Sequence, residues 1–139
     1  MNVKEIISTD KAPKAVGPYS QAVIAGWFIF ISGQGAIDPL TNIYNPSSIE
    51  VETELVLNNI KAILESAGKR LSDIVKVTVF LKNMDDFPAF NNVYEKFFPV
   101  DPPARSCVEV SRLPKGFNIE IEVIALRKEW IFKAQNSNC

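Results

Sequence analysis

Short apolar segments bounded by turn residues recur along this chain, and six of them have the composition and alternation of β-strands. In one of them, Val75, Val77, Val79 and Leu81 fall on one face of the predicted strand. Ala25-Gly26 joins two strands as a tight hairpin. The predicted strands span residues 5–8, 20–24, 27–32, 73–82, 104–110 and 118–126.

Two longer segments repeat apolar residues at helical spacing. Before the first, Ser47 and Glu50 have the spacing of a capping box with Ser47 as N-cap. This helix is predicted to run to Ala67, with Gly68 as the C′ residue. The second helix covers residues 86–98 and ends before a proline. The apolar stripes consist of Val56, Ile60, Ile63, Leu64 and Ala67 in the first helix, and of Phe87, Phe90, Tyr94, Phe97 and Phe98 in the second.

The order of these elements is β-β-β-α-β-α-β-β. Two helices can cover only one face of a sheet of this size, so the pattern predicts an α+β fold with both helices packed on one side. The other face must then be exposed to solvent or buried against another subunit. A length of 139 residues suits one domain with its own core.

The charge balance and the hydropathy pattern narrow the class of protein. A net charge of −1 argues against a nucleic-acid-binding protein that works through a strong positive field. No apolar run has the length of a membrane span, and the first residues lack the apolar block of a signal peptide. We therefore expect a cytoplasmic protein with no membrane partner.

The sequence contains no histidine, which removes the commonest general base and the commonest metal ligand. Its two cysteines, Cys107 and Cys139, lie far apart in sequence and do not indicate a disulfide framework or a structural zinc site. We therefore expect no metal and no cofactor. Catalysis would have to use carboxylates, Arg, Lys, Tyr, Ser, Cys or backbone groups.

One pair of strands carries a candidate site. Arg105 and Cys107 share one face of the fifth predicted strand, and Glu120 and Glu122 share one face of the sixth. If the short connection between them makes these strands antiparallel neighbours, Arg105 and a glutamate share a face. A guanidinium group there could bind an anionic substrate through two parallel hydrogen bonds, while the carboxylate positions or activates a water molecule. The alternative is a weak, solvated surface pair, with Cys107 as a small buried filler.

An ordered series of short motifs runs through residues 3–127. They are Gly17-Pro18-Tyr19-Ser20-Gln21-Ala22, Ile31-Ser32-Gly33-Gln34, Asn59-Ile60-Lys61-Ala62, Ala67-Gly68, residues 73–81, Met84-Asp85-Asp86-Phe87, Asn91, Tyr94, Phe97, Phe98, Pro103-Ala104-Arg105, Leu113-Pro114-Lys115-Gly116 and residues 119–125. With this series the chain resembles the YjgF/YER057c/UK114 family, whose best-understood members are the reactive intermediate deaminases A.

The resemblance implies a chorismate-mutase-like fold assembled as a homotrimer, with the open sheet faces inside and three clefts between subunits. It implies one deaminase-type domain over residues 1–127, followed by a tail, residues 128–139, with no assigned role. The implied reaction is the hydrolysis of 2-iminobutanoate, 2-iminopropanoate and related enamines to 2-keto acids and ammonia. An imine carbon is already electrophilic, so this reaction needs no metal and no covalent nucleophile.

The resemblance also assigns roles to individual residues. Arg105 matches the arginine that binds the substrate carboxylate, and Glu120 matches the glutamate that positions or activates water. Cys107 matches a cysteine beside the substrate, where its main-chain groups matter more than its thiol. The other implied cleft residues are Tyr19, Ser32 and Asn91. From the sequence alone, a tyrosine that follows Gly17-Pro18, as Tyr19 does, is more often a packing residue than a site residue.

Two departures and two alternatives accompany this interpretation. Phe117 is bulkier than the residue that many members carry and is expected to alter the cleft rim. Glu52 stands where glutamine is common and is expected to lie far from the site. The alternatives are a non-catalytic chaperone-like or regulatory trimer, and an endoribonuclease or translation inhibitor. Arg105 and Glu120 favour the enzyme, while the net charge and the missing histidine weigh against RNA cleavage.

Overall fold

The computed structural model describes residues 3–127, and the predicted tail at 128–139 lies outside the described residues. The strands are β1 (Lys4–Ile7), β2 (Ala22–Ala25), β3 (Phe28–Gln34), β4 (Ile74–Leu81), β5 (Ala104–Glu109) and β6 (Ile119–Leu126). The helices are α1 (Ile49–Ser66) and α2 (Phe87–Phe97), and 3₁₀ turns cover residues 71–73, 84–86 and 114–116. All eight predicted elements are therefore present, in the predicted order.

The six strands form one mixed sheet in the order β1-β2-β3-β6-β4-β5. Only β4 and β5 are parallel, and every other neighbouring pair is antiparallel. Helix α1 packs on β3 and β6, and α2 packs against α1. The predicted α+β class, a mixed sheet with two helices on one face, is confirmed.

The expectation that β5 and β6 are neighbours is wrong, because β4 lies between them. Strand β6 pairs with β3 on one side and β4 on the other, so it occupies the centre of the sheet. Its residues Ile119, Ile121, Val123 and Ala125 are at most 3% exposed. A strand with such a continuous apolar face is most stable where helices cover it, which leaves the more polar β5 at the edge.

Two local predictions differ from the structure by one residue. The hairpin turn is Gly26-Trp27, since Ala25 pairs with Phe28 and Gly26 has a φ of +59°. The N-cap of α1 is Ser48, whose side chain accepts a hydrogen bond from the Val51 amide. Both shifts are within the usual uncertainty of element ends read from sequence. At the other end of α1, Gly68 has a φ of +71°, which confirms its predicted role.

The predicted apolar face of β4 is wrong at its first position. Ile74, Val77, Val79 and Leu81 are buried, while Val75 is only half-buried. The pairing of β4 with β6 slips between Ile74 and Lys76, so the strand contains a β-bulge there. A bulge inserts one extra residue and reverses the alternation on one side of it.

The face of the sheet that neither helix covers is called the open face below. It carries Phe30, Phe80 and Val108 together with Ser106 and Glu122, because each of these side chains alternates with one that points into the helix-covered core. Phe28, Phe30 and Val108 are 40–44% exposed. Within residues 3–127, neither helix is both long enough and apolar enough to cross a membrane.

Candidate active site

Arg105 points from β5 toward α2 and is held there by aromatic rings. Its guanidinium carbon lies 4.6 Å from the ring centre of Tyr94, 5.2 Å from Phe90 and 5.5 Å from Phe87. Its Nη1 atom donates a hydrogen bond of 2.8 Å to Oδ1 of Asn91. A planar guanidinium is attracted to aromatic faces and keeps its edge available for hydrogen bonds. These residues, with Cys107, are called the Arg105 cluster below.

The helix α2 supplies these partners because Phe87, Phe90, Asn91 and Tyr94 recur at intervals of three and four, which places them on one side of a helix. The side chain of Tyr94 is 6% exposed, and burial raises the pKa of its phenol to about 12 against the opposing effect of Arg105. The phenol therefore stays neutral. It contacts the guanidinium through its ring and adds no charge to the cluster.

Cys107 follows Arg105 on the same face of β5 and is half-buried. Burial raises the pKa of its thiol, and the nearby Arg105 only partly offsets this. A thiol with a raised pKa carries little thiolate at neutral pH, and the thiolate is the nucleophilic form. The environment of Cys107 therefore does not favour a covalent mechanism.

A second constellation surrounds Glu120. A cavity of about 260 Å³ is lined by Tyr19, Ser32, Glu120, the segment 33–35, Gln21, Ile37, Phe117 and residues of the loops at 13–16 and 114–115. This cavity is called the Glu120 pocket below. Ser32 donates a hydrogen bond of 2.6 Å to the Ser20 carbonyl, and the Tyr19 hydroxyl accepts one of 3.1 Å from the Val16 amide.

Glu120 is half-buried, and burial raises the pKa of its carboxyl above the usual range. The neighbouring carboxylate of Glu122 raises it further. The carboxyl group lies against the backbone of Gly33, where a Cβ atom would overlap it. A carboxyl group at a cavity whose pKa is raised holds its proton more readily than a free glutamate, which suits a general base that must also return the proton as an acid.

These two constellations lie on opposite faces of the sheet within one chain. Arg105 is paired with Val77 on β4, and Glu120 is paired with Phe80. Since these two positions on β4 are three residues apart, their side chains point to opposite faces. The hypothesis that Arg105 and a glutamate share one face is therefore wrong for a single chain. Asn91 and Cys107 accompany Arg105, while Tyr19 and Ser32 accompany Glu120.

Sequence analysis missed three supporting features. Gln21 is 5% exposed, and its amide bonds the backbone of Thr9 and Pro13, which fixes the loop beside the Glu120 pocket. The aromatic residues of α2 were assigned only to the core, although their stripe also contacts Arg105. Glu52 is buried, and its helical spacing from Val56 was a signal that it lies on the inner face of α1.

The described part of the chain contains no group of three or more Cys, Asp or Glu side chains arranged to hold a metal ion. The charged groups of the two constellations are the Arg105 guanidinium in the first and, in the Glu120 pocket, the Glu120 carboxyl together with Lys14 and Lys115. Their chemistry is anion binding and proton transfer.

The endoribonuclease L-PSP family model matches residues 9–127. The chain belongs to this family, also named YjgF/RutC. A RutC family protein of Pyrococcus horikoshii is 55% identical over 126 residues, which cover 91% of this chain and 100% of the relative. The resemblance found from the sequence motifs is therefore confirmed at the level of the family.

Two further YjgF/RutC relatives bear on the chemistry. A protein of Dermatophagoides farinae named 2-iminobutanoate/2-iminopropanoate deaminase is 44% identical over 126 residues, covering 91% of this chain and 98% of that protein. The crystal structure of E. coli TdcF with bound serine matches with a TM-score of 0.85 and 44% identity, covering 89% of this chain and 99% of that chain.

Proposed function

We propose that this protein is a deaminase that hydrolyses 2-imino acids, such as 2-iminobutanoate and 2-iminopropanoate, to 2-keto acids and ammonia. The observation that carries the proposal is the chemistry of the two constellations. One offers a fixed guanidinium for a carboxylate, and the other offers a carboxyl group with a raised pKa in a cavity. A relative at 44% identity is named as such a deaminase.

In the proposed reaction, Arg105 pairs with the substrate carboxylate and fixes the imine carbon in front of a water molecule. The water oxygen bonds to the imine carbon while the Glu120 carboxylate takes one water proton. The resulting carboxyl group then returns its proton to the nitrogen. The product of this step is a carbinolamine, with OH and NH₂ on the same carbon. Glu120 then moves the hydroxyl proton to the NH₂ group while the C–N bond breaks and the C=O bond forms, so ammonia leaves and the 2-keto acid remains bound to Arg105 until it dissociates.

Because the two constellations lie on opposite faces of one chain, we propose that each active site forms between two copies. One copy contributes the Arg105 cluster and the next contributes the Glu120 pocket. An interface that joins two different surfaces of identical chains closes into a ring when the rotation between copies is a whole fraction of a turn, and a third of a turn gives a homotrimer. The half-exposed aromatic side chains Phe28 and Phe30 on the open face support an interface there.

We assign the catalytic unit to residues 1–127 as one domain and give the tail at 128–139 no role in the chemistry. Every residue used in the proposed reaction lies in the described part of that unit. Tyr19, Ser32 and Asn91 are proposed to line the cleft, with Asn91 fixing the guanidinium by its hydrogen bond.

The test is a coupled assay in which a threonine dehydratase generates the imine and its decay is followed with and without this protein. Arg105→Ala is expected to lower the rate constant by about 10- to 150-fold, because a charge-assisted hydrogen bond contributes about 1.5–3 kcal/mol. Arg105→Lys should recover only part of the activity, since an ammonium group lacks the two-pronged geometry.

Arg112→Ala is the matched control, because Arg112 is exposed and belongs to neither constellation. It should retain wild-type activity, and thermal melts should show all three variants folded. A folded Arg105→Ala variant with full deaminase activity would rule out the assigned site. Imine decay that the wild-type protein does not accelerate, together with cleavage of an RNA substrate, would instead support the nuclease function that the family name suggests.

A further inference from the structure

Glu52 in α1 is a buried carboxylate that is held entirely by hydrogen bonds. Glu52 is only 1% exposed. Its oxygens accept bonds from the Tyr44 hydroxyl at 3.0 Å, the Ser47 amide at 3.2 Å, the Asn118 amide at 3.2 Å and the Asn118 side-chain amide. A carboxylate offers about four acceptor positions, so this one is fully used.

The partners of Glu52 are neutral donors. Among residues 3–127 the ion pairs are Lys61–Glu65 and Arg127–Glu5, and neither includes Glu52. The pKa of the Tyr44 phenol is raised to about 12, mainly by burial and also by the hydrogen bond to Glu52 and its charge, so this phenol remains a donor at neutral pH. Withdrawing any donor would leave a buried charge poorly solvated, which is costly. The network therefore resists movement of the segments that supply the donors.

The segments that supply these donors contact Phe117 and both of its neighbours in the chain. The side chain of Asn118 also donates to the Ser47 carbonyl at 3.2 Å, and the Tyr44 hydroxyl lies 3.4 Å from the Gly116 carbonyl oxygen. The Tyr44 ring meets the Phe117 ring edge-on, with 4.8 Å between centres and 89° between planes. Phe117 is thus fixed through both of its chain neighbours and through its ring.

Phe117 in turn forms a wall of the Glu120 pocket. It is 5% exposed and lines the cavity together with Glu120, three residues further along the chain. Its ring packs directly on Gly35, where a Cβ atom would overlap it. The Phe117 ring contacts Tyr44 on one side and Gly35 on another. It therefore cannot move away from the cavity to admit a larger group unless the hydrogen bonds of Glu52 break.

We propose that Phe117 limits the substrates of this site to 2-imino acids with short, unbranched side chains, and that Glu52 is the positioning residue that holds Phe117 in place. The first part rests on the function proposed above. The limit follows from the fixed ring, because Phe117 forms one wall of the cavity and is held between Gly35 and Tyr44, so it cannot move to make room for a branched or aromatic side chain that contacts this wall.

The experiment compares two sizes of ligand. Dissociation constants for 2-oxobutanoate and 4-methyl-2-oxopentanoate, which are products of small and branched imines, are measured by calorimetry, and kcat/KM is measured for the corresponding imines. Wild type should prefer the smaller ligand. Phe117→Ala should shift the small-to-branched ratio by at least about 10-fold toward the branched ligand, the effect expected of one or two methylene groups in a pocket.

Glu52→Gln should shift the same ratio in the same direction by a smaller amount. The NH₂ group of the new glutamine cannot accept a hydrogen bond, so two of the four donors around this side chain lose their acceptor. Glu54→Gln is the matched control, since it removes the same charge from an exposed position of α1. It should leave the ratio unchanged. A general loss of stability would weaken both ligands equally, so the ratio separates positioning from a purely structural effect.

If Phe117→Ala does not fold, Phe117→Leu supplies the smaller side chain. A folded Phe117 variant with the wild-type ratio overturns the size limit, as does a wild-type protein that binds neither keto acid or prefers the branched one. A wild-type ratio in Glu52→Gln overturns the role of Glu52. Selective keto-acid binding without imine hydrolysis rejects the deaminase function alone, because the ratio of dissociation constants still tests the size limit that Phe117 imposes.

Discussion

The two proposed catalytic side chains depend on different surroundings. Three aromatic rings and Asn91 stabilise and orient the positive charge of Arg105. Burial and the negative charge of Glu122 disfavour the charged form of Glu120, which raises its pKa. The guanidinium of Arg105 is therefore suited to bind an anion without changing its own protonation, and the carboxyl group of Glu120 is suited to take and return a proton.

The raised pKa of Glu120 leads to a pH-dependence prediction. As the base, Glu120 must be deprotonated, so kcat/KM should fall as the pH drops through its pKa. This acidic limb should lie above the usual glutamate range near pH 4.3. In Glu122→Gln one cause of the raised pKa is removed, so the limb should move to lower pH.

The exposed residue Glu95 on α2 provides the control, because Glu95→Gln removes an equal charge away from Glu120. Its pH profile should match that of wild type. An acidic limb that stays fixed, or moves to higher pH, in Glu122→Gln would show that Glu120 is not the group titrating in the reaction.

At the scale of elements, the start of β2 is tied to the loop beside the Glu120 pocket by a single side chain. The Gln21 amide donates 2.8 Å and 3.1 Å bonds to the carbonyls of Pro13 and Thr9, and its oxygen accepts a 2.7 Å bond from the Thr9 amide. These hydrogen bonds fix the backbone of the loop, which has no strand partner at these positions. The position of Tyr19 and Pro13 in the pocket depends on them.

Gln21→Ala should therefore lower the free energy of unfolding by about 1–3 kcal/mol, the cost of leaving a buried polar group unpaired. It should also raise KM more than it lowers kcat, because the loosened loop lines the pocket and supplies no proton-transfer group. Urea unfolding and steady-state kinetics measure the two effects. Asn58→Ala, at an exposed position of α1, should lower neither the stability nor the affinity for substrate, because alanine suits a helix better than asparagine does. A Gln21→Ala variant as stable as wild type would contradict the role of these hydrogen bonds.

Local patterns predicted the elements well because their causes are local. Periodic apolar residues and the C′ residue Gly68 define α1, and alternation defines β6. The order of the strands has no such signal. That β4 lies between β5 and β6 depends on which strands bury their faces most completely, and the β-bulge at Val75 depends on the pairing with β6.

The same limit explains why the candidate site was only partly predicted. The residue types at Arg105 and Glu120 indicated anion binding and proton transfer, and the motifs indicated the family. The relative position of the two side chains could not be derived, because it follows from strand order. Their separation on opposite faces of the sheet gives the open face its proposed role at the scale of the whole molecule.

At that scale, the open face combines aromatic side chains with the carboxyl group of Glu120. Phe28 and Phe30 are 40% and 44% exposed, and their ring centres are 6.5 Å apart. Exposed aromatic residues grouped on one face mark an interaction surface. We therefore expect light scattering to report a particle of about three times the 15.5 kDa chain mass at micromolar concentration.

Phe30→Glu should shift the particle toward the monomer and reduce deaminase activity, because a charge would be buried at the proposed interface. Leu40→Glu is the control, since Leu40 is 91% exposed in a loop outside the sheet. It should remain trimeric and active. A wild-type monomer, or a Phe30→Glu monomer with full activity, would exclude a site shared between copies.

The central claim is that Arg105 of one copy and Glu120 of another form each active site of a deaminase. Co-refolding a mixture of Arg105→Ala and Glu120→Gln chains, each of low activity alone, tests it most directly. In randomly mixed rings, about one quarter of the sites combine an intact Arg105 with an intact Glu120, so about one quarter of wild-type imine hydrolysis should return. If each site lay within one chain, the mixture would remain as inactive as the two variants alone.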